Sequence, residues 1–255
     1  MGIIGGRIAY NFLKHTYPNG DGVRISDVDT YAARGVSKLK ALFGNGIYSE
    51  LRDKTIMDFG CGDGAHCVEL AQNGAARVIG VDISDRLLEL ARKKAQLAGV
   101  ENRCVFCGEW KEPVDVVLSM DAFEHFADPA SILRLMHSLL KPGGYIFVEF
   151  GPIWYHPYGG HLFSVFPWAH LLFTESALIR WRSDFKSDNA TCFQNGECGL
   201  NKMTVRRWED LVAQSEFRFL SNELVPIRVV RNLHCRLTRE FFTAIVRSRL
   251  ISRVP

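Results

Sequence analysis

The chain contains no run of 18 apolar residues, so nothing in it reads as a membrane-spanning helix. Its start has no basic leader and no convincing cleavage site, and the opening "MGIIGG" lacks the Ser or Thr that a myristoylation signal needs at position six. A cytoplasmic location is the expectation. No internal repeat and no low-complexity tract is present. The seven cysteines, odd in number and irregularly spaced, exclude a secreted disulfide framework. Cys104 and Cys107 form one CxxC, but "NRCVFCGEW" reads as a strand, where residues three apart point to opposite faces, and no second pair accompanies it. No metal is expected. Charge of one sign is also scarce, because 31 basic residues against 28 acidic give a net +3, too little to call for a nucleic-acid partner. Only the tail is uneven: Arg228, Arg231, Arg236, Arg239, Arg247, Arg249 and Arg253 crowd it with Glu240 as the lone acid, which reads as a solvated basic surface.

What is present is enough apolar sequence, 47% of 255 residues, for one sizeable core. From residue 55, short apolar runs alternate with amphipathic helices, as a parallel sheet covered on both faces requires. "TIMDF", "RVIGVD", "RCVFC", "VDVVLS" and "YIFVEF" are five successive strands. Between them, a helix runs from about Ala65 to Asn73, and Ser84 caps a second with Leu87, Leu88, Ala91, Ala95 and Ala98 on one face and Gly99 at its end. Asp128 with Pro129 opens a third, carrying Ile132, Leu133, Met136, Leu139 and Leu140 inside and ending at "LKPGG". Thr204 caps a further helix with Trp208, Leu211 and Val212, followed by "FRFLSNELV" and "FFTAIVR" as two last strands, the final one equally readable as helix. Residues 1–50 form an N-terminal helical segment, with "DTYAARGVSKLKALFG" packed on the sheet or over its carboxyl edge. Residues 51–255 form the main domain.

"MDFGCGDGAH" carries the chemistry. Its strand ends at Phe59 and its helix begins near Ala65, so Gly60, Gly62 and Gly64 occupy a turn at the carboxyl edge, where open α/β folds place ligands. Asp82 ends the next strand, 20 residues beyond Gly62, where a carboxylate can accept hydrogen bonds from both hydroxyls of a ribose. A dinucleotide fingerprint would read G-x-G-x-x-G and meet a pyrophosphate. Here Asp58 precedes the turn and Asp63 lies inside it; they would repel a pyrophosphate but suit a ligand with an ammonium group and no phosphate, such as S-adenosylmethionine.

"MDFGCGDG", "VIGVDIS", "CGEW", "VDVVLSMDAFEHFADP" and "LLKPGGYIFVEF" resemble the successive motifs of class I S-adenosylmethionine-dependent methyltransferases, particularly those acting on small molecules, over about residues 52–150 and more weakly over "MTVRRWEDLVAQSEFRFL". The resemblance implies a doubly wound, mostly parallel seven-stranded α/β sheet of the Rossmann-like kind. It implies that Gly60, Cys61 and Gly62 line the methionine and ribose portions of S-adenosylmethionine, that Asp58 orients the turn near the amino group, and that Asp82 holds the ribose with Ile83 against the adenine. Glu109 stands where the family often has Asp at the adenine amino group, and Trp110 where a small residue is commoner. Ser119 and Met120 end the fourth strand, where main chain meets the methionine portion.

The stretch "GPIWYHPYGGHLFSVFPWAHLLF", Gly151 to Phe173, holds seven aromatic residues and three histidines, with prolines and glycines that break any 2- or 3.6-residue period. It follows the fifth strand directly, so 151–203 is expected to be an insertion above the cofactor, a substrate lid or a dimer contact, excluding water and suiting an apolar or aromatic acceptor. Methyl transfer is an in-line displacement that rests on positioning, which is worth roughly 7–11 kcal/mol; a hydroxyl or carbon acid also needs a base. His125, His156 and His161 are the candidates, while His170 packs within the lid. Glu124 and Glu149 are ambiguous, Glu149 either facing the pocket or pairing with an arginine. The expected function is methyl transfer to O, N or C of a small, apolar or aromatic acceptor by a monomer or homodimer. The alternatives are a nucleic-acid methyltransferase using the arginine-rich tail, a lipid methyltransferase touching membrane through the aromatic lid, and a cofactor-binding protein of the same fold without transfer.

Overall fold

The computed structural model describes residues 2–20, 37–187, 189–195 and 199–253. Seven strands form one sheet in the order β3-β2-β1-β4-β5-β7-β6. The strands are β1 (Thr55–Phe59), β2 (Arg77–Val81), β3 (Cys104–Cys107), β4 (Val114–Met120), β5 (Leu140–Phe150), β6 (Phe217–Pro226) and β7 (Thr243–Ser252). The first five are parallel, and β7 lies antiparallel between β5 and β6. The central strands β1 and β4 are buried almost throughout, as an apolar run covered on both faces must be.

One face of the sheet is covered by α2 (Lys38–Phe43), α3 (Ile47–Leu51), α4 (Ala65–Gln72) and α5 (Asp85–Leu97), which bury Leu39, Leu42, Ile47, Leu51, Leu70 and Leu88 against Ile56, Val78 and Val116. The other is covered by α6 (Pro129–Ser138) and, after a short α7 (Ala169–Leu172) and α8 (Glu175–Arg182), by α9 (Val205–Ala213), which set Leu133, Met136, Trp208 and Val212 against Met57, Val117 and Val148. The caps fall where sequence places them. Ser84 Oγ accepts from Leu87 N at 3.4 Å, Asp128 Oδ1 from Ser131 N at 3.1 Å and Thr204 Oγ1 from Arg207 N at 3.1 Å. Cys104 packs on one face of the sheet and Cys107 on the other, as strand alternation requires.

Three expectations are corrected. "LKPGG" does not precede the fifth strand but belongs to it: Leu140 already pairs with Val114, and a register shift before Val116 absorbs the irregularity while Gly143 takes φ 78°. The last strand starts at Thr243, two residues after Phe241, because Arg239–Phe242 forms a one-turn helix, α10. The N-terminal segment divides: α2 packs on the sheet, whereas α1 (Gly6–Thr16) packs elsewhere. The "DTYAARGV" part of the expected helix lies outside the described residues.

Residues 151–203 bring together a third apolar cluster of Trp154, Phe163, Val165, Phe173, Leu178, Trp181 and Phe193, and α1 completes it with Ala9 and Leu13. The main chain seals this joint, since Ile3 N and Ile4 N donate to Leu172 O at 2.9 and 3.1 Å, and Thr174 N donates to Ile4 O at 2.8 Å.

Candidate functional site

The carboxyl edge of β1 turns sharply into α4 through Gly60, Gly62 and Gly64, with φ of 83°, 52° and 74°. These are left-handed values that side-chain-bearing residues resist. Close approach adds a second demand, because a Cβ on Gly64 would lie 2.6 Å from Ala91 Cβ and one on Gly60 2.9 Å from Ala122 Cβ, whereas the space over Gly62 is open. Asp82, just past β2, fixes the turn from the side: its Oδ2 accepts from Gly62 N and its Oδ1 from Ser84 N, both at 2.9 Å. Cys61 donates its N–H to Val81 O at 3.0 Å and buries its side chain, whose Sγ lies close beside Gly80, so only its main chain can meet a ligand. Ile83 stands next to Asp82 with its side chain fully exposed.

Asp58 is buried at the same edge, where burial first, and then nearby Asp82 and Asp121, push its carboxyl above the usual range despite a hydrogen bond from Cys67 Sγ at 3.5 Å. Ser119, also buried, donates to Phe59 O at 3.1 Å and ties the ends of β4 and β1 together; Met120 is buried beside it.

The loop after β4, residues 121–128, is clamped from below and above. Beneath it Phe123 meets Trp208 at 4.9 Å and Phe126 at 5.1 Å between ring centroids. Above it buried Asn201, at the end of the insertion, donates its Nδ2 to Phe123 O at 2.6 Å and to Phe126 O at 2.9 Å, and its N to Glu124 O at 2.9 Å. Four ionisable groups meet at this edge, Asp121 and Glu124 from the loop, Lys38 from α2 and Glu149 from β5, and all but Asp121 are largely shielded from water. Lys38 of α2 pairs with Asp121 and, at 2.9 Å, with Glu149, so the partner of Glu149 is a lysine rather than an arginine. Burial opposes the Lys38 charge, but Glu149 and Asp121 outweigh it and raise its pKa. Burial and then Asp121 push Glu124 up to about 8, and the same two causes raise Glu149. Glu124 Oε1 accepts from Gly151 N at 3.2 Å, and its Oε2 has no partner among the described residues.

The insertion delivers one histidine to this loop. His161, with φ 48°, places its ring 5.2 Å from that of His125 in an edge-on arrangement. His125 Nδ1 lies 2.8 Å from Gly199 O, and burial lowers the pKa of its ring. Burial and then the neighbouring His125 bring His161 down to about 3, partly opposed by a hydrogen bond to the main chain of Pro152. Its Nε2 is buried without a partner. His161 and Glu124 line one small cavity with Trp154, Leu200 and Met203.

His156 is not part of this pair. Its Nδ1 accepts from Tyr158 N at 3.0 Å, organising a turn, and burial followed by His170 lowers it to about 4. His170 uses both ring nitrogens, at 2.7 Å from Ser164 Oγ and from Trp154 O, and is structural. The Glu109 carboxylate is exposed and 3.4 Å from Lys111, and the Trp110 ring lies over Arg77, 4.9 Å from its guanidinium carbon, with Nε1 donating to Glu112 O at 2.9 Å. Both residues line a cavity with Phe59 and Val81, the strand ends next to the glycine turn. Lys38, Asp121 and Asn201 were absent from the sequence reading, and no pattern around them announces the contacts they make.

A family model described as a methyltransferase domain matches residues 51–155, from α3 through β5 into the insertion. Over these residues the chain is similar to methyltransferase domains. Ubiquinone biosynthesis O-methyltransferase of Neisseria meningitidis serogroup C (strain 053442) is 38% identical over 107 residues, covering 39% of this chain and 45% of that one. The enzyme of the same name from Ruegeria pomeroyi is 42% identical over 94 residues, covering 35% and 38%. The chain thus spans under half the length of these relatives. Among solved structures, an S-adenosylmethionine-dependent methyltransferase from Mesorhizobium loti is similar with a TM-score of 0.51 at 17% identity, over 79% of this chain and 92% of that one. Magnesium protoporphyrin IX methyltransferase from Synechocystis PCC 6803 is similar with a TM-score of 0.52 at 15% identity, over 95% and 97%. At such identities the likeness is one of fold. The cofactor of this domain class is S-adenosylmethionine, and the residues fit it: an open main-chain turn at Gly62, a strand-end carboxylate at Asp82 and an uncovered apolar side chain at Ile83.

Proposed function

We propose that this protein transfers the methyl group of S-adenosylmethionine to an oxygen of a small apolar or aromatic acceptor. The observation that carries the reading is the glycine turn held by Asp82 at the carboxyl edge, with the His125–His161 pair set over the adjoining loop. Oxygen as the accepting atom is supported by relatives named as O-methyltransferases.

In this reading the main chain of Gly60, Cys61 and Gly62, the carboxylates of Asp58 and Asp82, the side chain of Ile83 and the strand end at Ser119 and Met120 hold the cofactor, which supplies an electrophilic methyl group on a sulfonium. The buried aromatic core of 151–203 acts as a lid that keeps water out. His161 serves as the base. Burial keeps the ring neutral, and Nε2, buried without a partner, accepts a hydrogen bond from the acceptor hydroxyl; so weak a base does not ionise the hydroxyl beforehand but takes its proton as the methylated oxygen turns strongly acidic. Asn201 and Lys38 position the loop that carries Glu124 and His125.

The test is calorimetric titration with S-adenosylmethionine and S-adenosylhomocysteine, alongside Asp82→Ala. Micromolar binding lost in the variant supports the site, and formation of S-adenosylhomocysteine with phenolic acceptors then supports the reaction. A wild-type protein that binds neither ligand refutes the reading. Binding without turnover on any acceptor would leave a cofactor-binding protein in its place.

A further inference from the structure

The arginine-rich segment between β6 and β7 plays no part in the proposed reaction. β7 runs antiparallel to β5, with Val246 opposite Phe150, so residues 227–242 leave and rejoin the sheet at its carboxyl edge, on the side of the insertion. The excursion is closed at its neck, where Ile227 N donates to Phe242 O at 2.9 Å and His234 Nε2 lies 3.0 Å from Thr243 Oγ1. It is also bolted to α9: Arg239 makes two bonds of 2.7 and 2.5 Å to Glu209, and Glu240 accepts from Val205 N and Arg206 N at 3.0 and 2.8 Å.

These internal contacts use Ile227, His234, Arg239, Glu240 and Phe242 and leave several apolar and basic side chains facing water. Val229 is 89% exposed, Leu237 90% and Leu233 56%, values that no folding requirement explains. Arg228, Arg231 and Arg236 are exposed beside them, with no ion-pair partner among the described residues. The apolar surface continues onto the insertion, since exposed Phe241 meets Tyr155 at 5.4 Å between ring centroids and Tyr155 O accepts from Trp168 Nε1 at 2.9 Å.

We infer that residues 227–242, together with Tyr155 and Trp168, dock this protein on an anionic lipid surface. Arginines meet the headgroup phosphates, the aliphatic side chains enter the acyl boundary, and the aromatic rings with polar edges sit between the two. A nucleic acid would use the arginines but leave Leu237 and Val229 without a partner. A second copy of the chain would bring the same unpaired arginines face to face across a twofold axis. Docking in this pose turns the carboxyl edge and its insertion toward the bilayer. The inference is independent of methyl transfer, so its failure leaves cofactor titration unaffected.

Flotation of the full chain with vesicles of phosphatidylcholine containing phosphatidylglycerol, against phosphatidylcholine alone, tests it. The expected result is binding to the anionic vesicles that weakens with salt and falls about tenfold in V229S/L237S and in R228E/R231E/R236E. All five positions are exposed, and unchanged thermal unfolding verifies that each variant is folded. The inference is overturned if the wild type stays in solution, if both variants bind as it does, if the segment instead confers salt-dependent binding to RNA without vesicle binding, or if L237S abolishes a dimer.

Discussion

At the scale of single residues, the site is a place where charges sit in poor solvent, and its behaviour with pH follows from that. Glu124 has its carboxyl raised to about 8 in the folded state by burial and Asp121, against an ordinary value near 4.5, with Gly151 N–H and Lys38 opposing. The folded protein therefore binds a proton that the unfolded chain has released, and stability contributed by this group is greatest below the ordinary value and is lost as pH rises toward 8. Melting temperature is expected to fall between pH 5 and 8, and Glu124→Gln, which keeps the shape without the charge, should flatten that slope in a thermal-unfolding series. His161→Asn is expected to lower kcat by about 10² or more while S-adenosylmethionine affinity by calorimetry stays as in the wild type. Equal losses in both would remove His161 from the role of base. Asp58, Asp82 and the three glycines were legible because a strand-turn-helix fixes their spacing along the chain. Lys38 and Asn201 were not, because each reaches the loop at 121–128 from a distant segment, and nothing local in "SKLKAL" or "GLNKM" records that meeting.

Elements were more legible than side-chain directions. Period-two and 3.6-residue patterns with Ser84, Asp128 and Thr204 as caps located the strands and helices because each of those signals is local. The misplacements came where tertiary context decides. Pairing with Val114 draws Leu140 and the following glycines into β5, and Phe241 finds Tyr155 instead of a strand neighbour. Two substitutions test the elements. Gly64→Ala combines a left-handed φ with a Cβ 2.6 Å from Ala91 and is expected to cost roughly 1–3 kcal/mol by overpacking alone, measured by denaturant unfolding. Trp208→Ala empties a fully buried site that touches Phe123 and Phe150 and frees the Oγ of Ser248. A loss of about 3–5 kcal/mol is expected, with disturbance of the loop above it readable as weaker cofactor binding. A cost below 1 kcal/mol would show that the aromatic cluster does not brace that loop.

Over the whole molecule the fold has two separately cored parts, a sheet with helices on both faces and an insertion whose apolar cluster is finished by α1. Leu13→Ala, at a fully buried position in the second, should weaken it locally by about 2–5 kcal/mol. Hydrogen exchange would then quicken in residues 163–181 while β1, β4 and β5 keep their protection, whereas uniform loss of protection would mean that the two parts unfold as one. The joint between Ile4 and Phe173 joins positions about 170 residues apart, and a contact of that span carries the loop-closure entropy of everything between. During synthesis α1 is made well before its partners and must wait, its apolar face unmatched, until the residues around Phe173 have followed. A ribosome-bound chain ending before residue 170 is thus the form of this protein with most need of a chaperone at α1.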